Sequence, residues 1–271
     1  MYQQELSRGQ QLLQRTQTFL NDVLSCKGTA THIACALANL LVIPMMLKMN
    51  FPATSRVSSY SIPKFVSHGC MAFSFSGMVY DNIVVAAGKY MVNGSMEDGR
   101  LLRMLTKGRY LFHGMVMPLL LVPIIEIAKQ HGLIAVPRIA NVMKGILISI
   151  ASIEMIDWLH YDKAQFVPVD NTMSTKHINH VLAGTFKFTC PNILKCVLPA
   201  ILATFAQIGS GVYMMTQSSL PTTAPLLVFL AGFTALLSAS PMFMKRPDLQ
   251  LVLEPASLLM IWVALSQAVT L

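Results

Sequence analysis

Residues 150–162, IASIEMIDWLHYD, carry three ionisable side chains at three-residue intervals within an otherwise apolar stretch. Three residues turn an α-helix about 60° short of a full turn, so Glu154, Asp157 and His160 would share one helical face within about 120°. Carboxylates and an imidazole on one face are suited to moving protons or to binding a metal ion. The spacing therefore predicts a polar stripe at the end of this helix, aimed at neighbouring helices.

Two further ionisable residues lie in apolar runs that precede this one. Asp81 is in the run 66–88, and His113 is in the run 110–128. Short connections make consecutive helices neighbours in a bundle. We therefore expect Asp81 and His113 to lie at the same depth as the polar stripe and close to it.

These five residues support two kinds of chemistry. His113, His160 and Asp157 could ligate a zinc or iron ion, because imidazole nitrogen and carboxylate oxygen are usual donors to these metals. Glu154, Asp157 and Asp81 could instead act as acid, base or proton relay, because a poorly solvated carboxylate holds its proton more readily than one in water.

A purely structural role for the charged residues is the alternative. The acids could pair with Arg109, with Lys163 or with the lipid headgroup region and lock the helices together. The same interpretation applies to Glu126, which lies near Lys129 and His131 in the sequence and is predicted to form an interfacial pair at the opposite end of the bundle.

The elements that must position these residues are indicated by the composition. Of 271 residues, 54% are hydrophobic and 12% are charged, against about 45–50% and about 25% in a soluble domain. Apolar runs of roughly 20 residues, the length of a membrane-spanning helix, recur seven times. They cover residues 33–49, 66–88, 110–128, 139–160, 193–216, 225–243 and 251–270. The sequence predicts an all-α, polytopic transmembrane bundle of about seven helices.

The N-terminal segment has a different pattern. Its apolar residues follow helical spacing between polar ones, which predicts an amphipathic helix lying along the membrane interface. They are Leu12, Leu13, Thr16, Phe19, Leu20, Val23 and Leu24. We therefore divide the chain into an N-terminal amphipathic segment, 1–30, and a transmembrane domain, 31–271. Residues 164–180 are rich in turn-forming residues and are predicted to be a loop.

The lysines and arginines are distributed unequally between the two sides of the predicted bundle. Fourteen fall on the side of the N-terminus and the even-numbered loops, and six fall on the other side. Basic loops are retained on the cytoplasmic side of a membrane. We expect the N-terminus to face the cytoplasm or its organellar equivalent, and the C-terminus to face the opposite side.

The same observations restrict the possible cofactors and partners. The last run, 251–270, contains no lysine and so cannot hold a retinal Schiff base. The excess of basic over acidic residues, 20 against 12, follows the loops rather than a nucleic-acid-binding face. The expected partners are membrane lipids and other membrane subunits, and nucleic acid is not expected.

Three functional classes fit this sequence. The first is an accessory or scaffold-type component of a membrane assembly, in which the charges serve packing. The second is a membrane-embedded enzyme acting on a lipid or another apolar substrate. The third is a proton-coupled carrier of a small solute. The accessory class is favoured because the ionisable residues match no established catalytic spacing.

Overall fold

The computed structural model of the protein describes residues 14, 17, 28–50, 62–88, 100–159, 165–168, 181–182, 186–189, 193–217, 223–238 and 247–270. Within these residues the chain forms eight helices. They are α1 (Gly28–Asn50), α2 (Ile62–Gly88), α3 (Arg100–Leu119), α4 (Leu121–Gln130), α5 (Pro137–Leu159), α6 (Ile193–Gln217), α7 (Ala224–Ser238) and α8 (Pro247–Thr270). The predicted helical class is confirmed.

The described residues of each predicted apolar run fall on a helix, and the third run is divided between α3 and α4. The division follows from Pro123, which has no backbone N–H to donate to the carbonyl of Leu119, four residues earlier. The Leu120 N–H still donates to the Val116 carbonyl at 2.9 Å, and Leu120 has helical dihedral angles. The interruption is therefore local, and α3 and α4 act as one broken helical unit.

Three stretches of helix are long and apolar enough to cross a membrane: Lys107–Gln130, Pro137–Leu159 and Leu198–Gln217. Shorter apolar helices cover Ile33–Met45, Ala224–Ser238 and Leu253–Ala268. Among the long stretches, 65% of the most apolar window of Lys107–Gln130 is buried, but only 17% of that of Pro137–Leu159. The α3–α4 unit is therefore central to the bundle, and α5 lies at its periphery.

The distribution of polarity across α5 is the reverse of that in a soluble protein. Its buried residues are few and include a charged one: Ala140, Lys144, Ala151 and Trp158. These four residues, called the α5 seam below, face the bundle, while large apolar side chains cover the outer surface of the helix. The exposed ones are Ile139, Val142, Met143, Ile146, Ile148, Ile150, Ile153, Ile156 and Leu159. A helix with this arrangement is suited to contact with lipid.

The main apolar core joins the α3–α4 unit to α2, α7 and α8. This core includes Phe75 of α2, Ile124 and Ile127 of α4, Val228 of α7 and Ile261 of α8. A smaller cluster of Cys70, Leu119, Val122 and Ala151 joins α2, α3, α4 and α5. These two clusters fix the relative positions of the helices that carry the charged residues.

A short turn of defined geometry connects α4 to α5. Gly132 has φ +75°, and its N–H donates to the Lys129 carbonyl while that of Leu133 donates to the Ala128 carbonyl, both at 3.0 Å. This is a Schellman motif, which favours glycine at the left-handed position. Pro137 then begins α5, where a missing N–H has no cost. The turn therefore returns the chain directly alongside α4.

Three short strands between α5 and α6 were not predicted. They are β1 (Gln165–Pro168), β2 (Val181–Leu182) and β3 (Phe186–Thr189), paired antiparallel in the order β1-β3-β2. β1 begins within the segment 164–180, which the sequence analysis assigned to a loop. The sequence FKFT of β3 alternates aromatic and polar residues, a pattern typical of a strand. The all-α prediction did not include this sheet.

The predicted N-terminal helix lies almost wholly outside the described residues. Gln14 and Gln17 are helical and exposed, as polar positions of an amphipathic helix should be. The interfacial location of the segment and the boundary at residue 30 stay predictions.

Candidate functional site

The acidic residue predicted in the second run has a cationic partner on the next helix. Asp81 of α2 accepts a hydrogen bond from Nε of Arg109 on α3 at 2.5 Å, and both side chains are largely buried. Tyr80 donates from its hydroxyl to the Leu105 carbonyl at 2.8 Å, which joins the same two helices. A Cβ on Gly108 would lie 2.5 Å from that hydroxyl oxygen, so a glycine is required for this approach. Asp81 is thus held in an ion pair between α2 and α3.

The polar stripe at the end of α5 is divided between two environments. Glu154 is half-buried on the side of α3, where a Cβ on Gly114 would lie 3.8 Å from the Glu154 Cβ and 2.8 Å from Cδ1 of Trp158. Asp157 is exposed, although the sequence analysis predicted it in a stripe aimed at neighbouring helices. The reason is that Trp158 belongs to the α5 seam, and the adjacent residue on a helix points about 100° away.

The two predicted imidazole ligands cannot be placed. The side chain of His113 and the whole of His160 lie outside the described residues. In the part of the chain that the structure describes, no three His, Cys, Asp or Glu side chains form a group able to hold a metal ion. The zinc or iron site of His113, His160 and Asp157 stays a prediction, as do the acid–base roles of Glu154, Asp157 and Asp81.

A charged centre that the sequence analysis treated as interfacial is instead buried. Glu126 of α4 has 0% side-chain exposure, and its Oε2 accepts a hydrogen bond from Nζ of Lys144 on α5, which is 4% exposed. Its Oε1 accepts from Nε2 of Gln130 at 2.9 Å and from Nζ of Lys129 at 3.2 Å. One carboxylate therefore receives three donors, two of which are ammonium groups.

The local structure explains how Glu126, Lys129, Gln130 and Lys144, together called the Glu126 centre below, come into contact. Lys129 and Gln130 follow Glu126 by three and four residues, the spacing at which side chains on one helix are neighbours. Lys144 lies in the α5 seam, and the Schellman turn at Gly132 places α5 against α4. A short connection between two apolar runs therefore positions the only charged residue of the seam opposite the buried carboxylate.

A signal for this centre was present in the sequence. Lys144 lies within the apolar run 139–160, and Glu126 lies within the preceding run, 110–128. A charged residue kept at membrane depth needs a partner, and adjacent helices supply it most directly. The sequence analysis counted Lys144 among the six basic residues of the second side of the bundle, and so did not consider it as the partner of Glu126.

His131 completes the polar environment at this end of the bundle. It follows α4 directly and is buried, and its backbone N–H donates to the Ile127 carbonyl at 3.0 Å. Burial lowers the pKa of the His131 imidazole below its ordinary value of 6.5, because desolvation disfavours the charged form. Burial therefore favours the neutral imidazole, which adds no positive charge.

The two ion pairs have a common chemical consequence. Separating a buried carboxylate from its cation leaves an uncompensated charge in a poorly solvated place, which costs about 3–5 kcal/mol. Each pair therefore holds two adjacent helices in one register. A third polar contact joins α3 to the end of α5: Nζ of Lys107 donates a hydrogen bond to the Leu159 carbonyl at 2.7 Å. This bond is exposed to solvent.

Comparisons with known protein families, with curated proteins and with solved structures find nothing that matches this chain, so its function is inferred from its own residues.

Proposed function

We propose that this protein is a seven-span integral membrane protein and an accessory or scaffold-type component of a membrane assembly. Its N-terminus lies on the cytoplasmic side or its equivalent, and its C-terminus lies on the opposite side. Its described charges serve mainly to hold helices together. The observation that carries the proposal is that Asp81 and Glu126 are each bonded to a cation on the next helix.

The polarity of the bundle supports a membrane location. Apolar side chains cover the outer surface of α5, while Arg109, Glu126 and Lys144 are buried. Several buried polar side chains also bond to their own helix: Asn82 donates to the Met78 carbonyl and Ser74 to the Cys70 carbonyl, each at 2.9 Å. In lipid a polar group has no water to bond, so such internal satisfaction is required.

The number of spans is supported by the order of the helices. The α3–α4 unit and the other six helices give seven helical segments, each on a predicted apolar run. Polar contacts define α7 and α8 as antiparallel neighbours: Thr223, which precedes α7, bonds to Gln267 near the end of α8, and Ser257 of α8 bonds to the Ala231 carbonyl of α7. In the proposed arrangement seven segments alternate in direction, so the two ends of the chain lie on opposite sides of the membrane.

Cysteine labelling tests the topology. In a variant whose five native cysteines are replaced, single cysteines are introduced as Arg56→Cys, Gly94→Cys or Leu220→Cys, and sealed vesicles of known orientation are treated with a membrane-impermeant maleimide. We expect positions 56 and 220 to label from one side and position 94 from the other. Labelling of all three positions from the same side would contradict the seven-span arrangement.

Native electrophoresis of membranes extracted in a mild detergent tests the accessory role. We expect the protein to migrate in an assembly much larger than its own 29.8 kDa chain. The variant Glu154→Gln with Asp157→Asn should keep that assembly, because it removes charge while preserving shape. Wild-type protein that migrates as a single chain, or a variant that loses the assembly, would contradict the proposal.

The buried Glu126 centre favours one second candidate, the proton-coupled carrier. An ionisable group at membrane depth is the usual means of coupling proton movement to transport. The carrier and the accessory role are distinguished by measuring proton flux into vesicles that contain the purified protein and an entrapped pH-sensitive dye. Proton flux that is lost in Glu126→Gln but kept in Glu154→Gln would favour the carrier, whereas equal background flux in all three proteins would favour the accessory role.

Elemental analysis tests the remaining functional class, the membrane-embedded enzyme. A metal present in stoichiometric amount in purified protein, measured by elemental analysis and lost in Asp157→Ala, would favour the enzyme and identify zinc or iron as its cofactor.

A further inference from the structure

The end of the bundle at which α4 meets α5, called the Glu126 end below, has an unusual charge composition. In the seven-span arrangement, the connections at this end are residues 51–61, 131–136 and 218–223, and none of them contains an aspartate or glutamate. Glu126 is the one acidic residue in this half of the bundle by sequence, and the other eleven acids fall in the opposite half or the terminal and loop segments there. Cations at this end therefore have no acidic surface residue to neutralise them.

The Glu126 centre itself has a surplus of positive charge. Two ammonium groups, of Lys144 and Lys129, bond to one carboxylate. Lys144 is buried with Glu126, whereas the Lys129 side chain is 20% exposed. Because Lys144 already neutralises Glu126, the surplus charge lies on Lys129 at the protein surface.

A second cation lies across the same turn. Arg138, the second residue of α5, is exposed and makes no ion pair or hydrogen bond within the described part of the chain. The exposed apolar residues Ile139, Val142, Met143 and Ile146 follow it along α5. An exposed guanidinium directly beside a continuous apolar helix surface matches the two parts of a phospholipid, an anionic head and an acyl chain.

We propose that the Glu126 end binds an anionic phospholipid, whose phosphate is held by Lys129 and Arg138 and whose acyl chain lies along the outer surface of α5. This inference rests on the membrane location in the proposed function and adds the chemical class of the lipid. Charge complementarity favours an anionic lipid over a zwitterionic one, because the Glu126 end offers surplus cations and its connecting segments contain, by sequence, no aspartate or glutamate to balance a choline. A neutral head would leave the surplus uncompensated.

Binding of lipids to the purified protein provides the test. Protein in mild detergent is titrated with phosphatidylglycerol, phosphatidylcholine or inorganic phosphate, and bound species are counted by native mass spectrometry. A basic residue near a membrane surface contributes about 1 kcal/mol to binding of an anionic lipid, which is about five-fold in affinity. We expect Arg138→Gln to weaken phosphatidylglycerol binding about five-fold and to leave phosphatidylcholine binding unchanged.

Matched variants make the result specific. Lys107→Gln removes a half-buried lysine at the opposite end of the bundle and should leave phosphatidylglycerol binding as in the wild type. Lys129→Gln combined with Arg138→Gln should weaken it about 25-fold, if the two contributions add. Arg138→Lys keeps the charge and should retain most of the affinity. Arg138→Gln is the decisive single variant, because Arg138 has no described partner whose loss would disturb folding.

Three results would overturn the proposal. The first is equal binding of phosphatidylglycerol and phosphatidylcholine by the wild type. The second is an equal loss in Arg138→Gln and Lys107→Gln, which would indicate a general charge effect. The third is binding of inorganic phosphate at the same sites with similar affinity, which would identify a free anion as the ligand. Failure of the membrane location is distinguished separately, since the protein would then be released from membranes by alkaline carbonate.

Discussion

The two buried ion pairs of this protein differ in how far they are removed from water. At the Glu126 end, the carboxylate is fully buried and Lys144 is 4% exposed, and two further donors contact the same carboxylate. At the other pair, Asp81 keeps 13% exposure and Arg109 keeps 7%. The Glu126 centre therefore depends wholly on protein donors, whereas Asp81 and Arg109 retain some access to their surroundings.

The same sequence feature, an acid in an apolar run, can therefore contribute to stability to two different extents. A charge without solvent needs its partner in place, and breaking such a pair costs more than replacing both members by apolar residues. A charge with residual solvation can recover part of that loss from water. The Glu126 centre should consequently be the more sensitive of the two to any change of charge.

The largest effect is expected from Glu126→Gln. This change leaves Lys144 buried without a carboxylate, and we expect the free energy of unfolding to fall by about 3–5 kcal/mol. The free energy of unfolding is measured by titration with sodium dodecyl sulfate, and the fluorescence of Trp158 and Trp262 reports the transition. The control is Glu126→Leu with Lys144→Met, which removes both charges and should recover most of the lost stability. A double variant less stable than Glu126→Gln would show that the charges are not coupled.

A smaller loss is expected from Asp81→Asn. The asparagine can still accept a hydrogen bond from Arg109, and the guanidinium keeps some solvation, so we expect the free energy of unfolding to fall by about 2 kcal/mol. The same titration measures it, and Asp81→Asn with Arg109→Gln serves as the neutral pair. A loss as large as that of Glu126→Gln would remove the proposed contrast between the two ion pairs.

The positions of the helices could be predicted because apolar runs of about 20 residues have few alternatives. The described part of each run lies on a helix, and the prolines of the third run mark its division at Leu120. The sheet between α5 and α6 was missed because strands of two to four residues are too short to establish a period.

The side-chain partners were harder to predict, because they depend on helix rotation. The sequence analysis named Arg109 as a possible partner of the acids, and the structure pairs it with Asp81. The three-residue spacing in α5 indicated one common face, but which face is buried depends on the whole helix. The positions of Lys144 and Trp158 determine it, and they turn Asp157 outward.

The contact between α3 and α5 gives a test of packing alone, independent of charge. A Cβ on Gly114 would lie 2.8 Å from Cδ1 and 2.9 Å from Nε1 of Trp158. We expect Gly114→Ala to lower the free energy of unfolding by about 1 kcal/mol, because the indole must shift. The matched control is Gly145→Ala on exposed α5, where no atom lies within 4 Å. That change should be neutral or slightly stabilising, because alanine favours the helix. Equal destabilisation by both would contradict the close approach.

The smallest effect concerns pH and is confined to the Glu126 end. Because burial lowers the pKa of His131, the unfolded chain binds a proton near pH 6.5 while the folded protein does not. Stability must therefore fall as the pH falls through about 6.5, and the fall must end once the folded imidazole is also protonated. The thermal midpoint between pH 8 and pH 5 should decline less in His131→Gln than in the wild type. An unchanged slope would mean that folding does not lower the pKa of the His131 imidazole, which would then add a cation to the Glu126 end at acidic pH and reduce the contrast with Asp81 and Arg109.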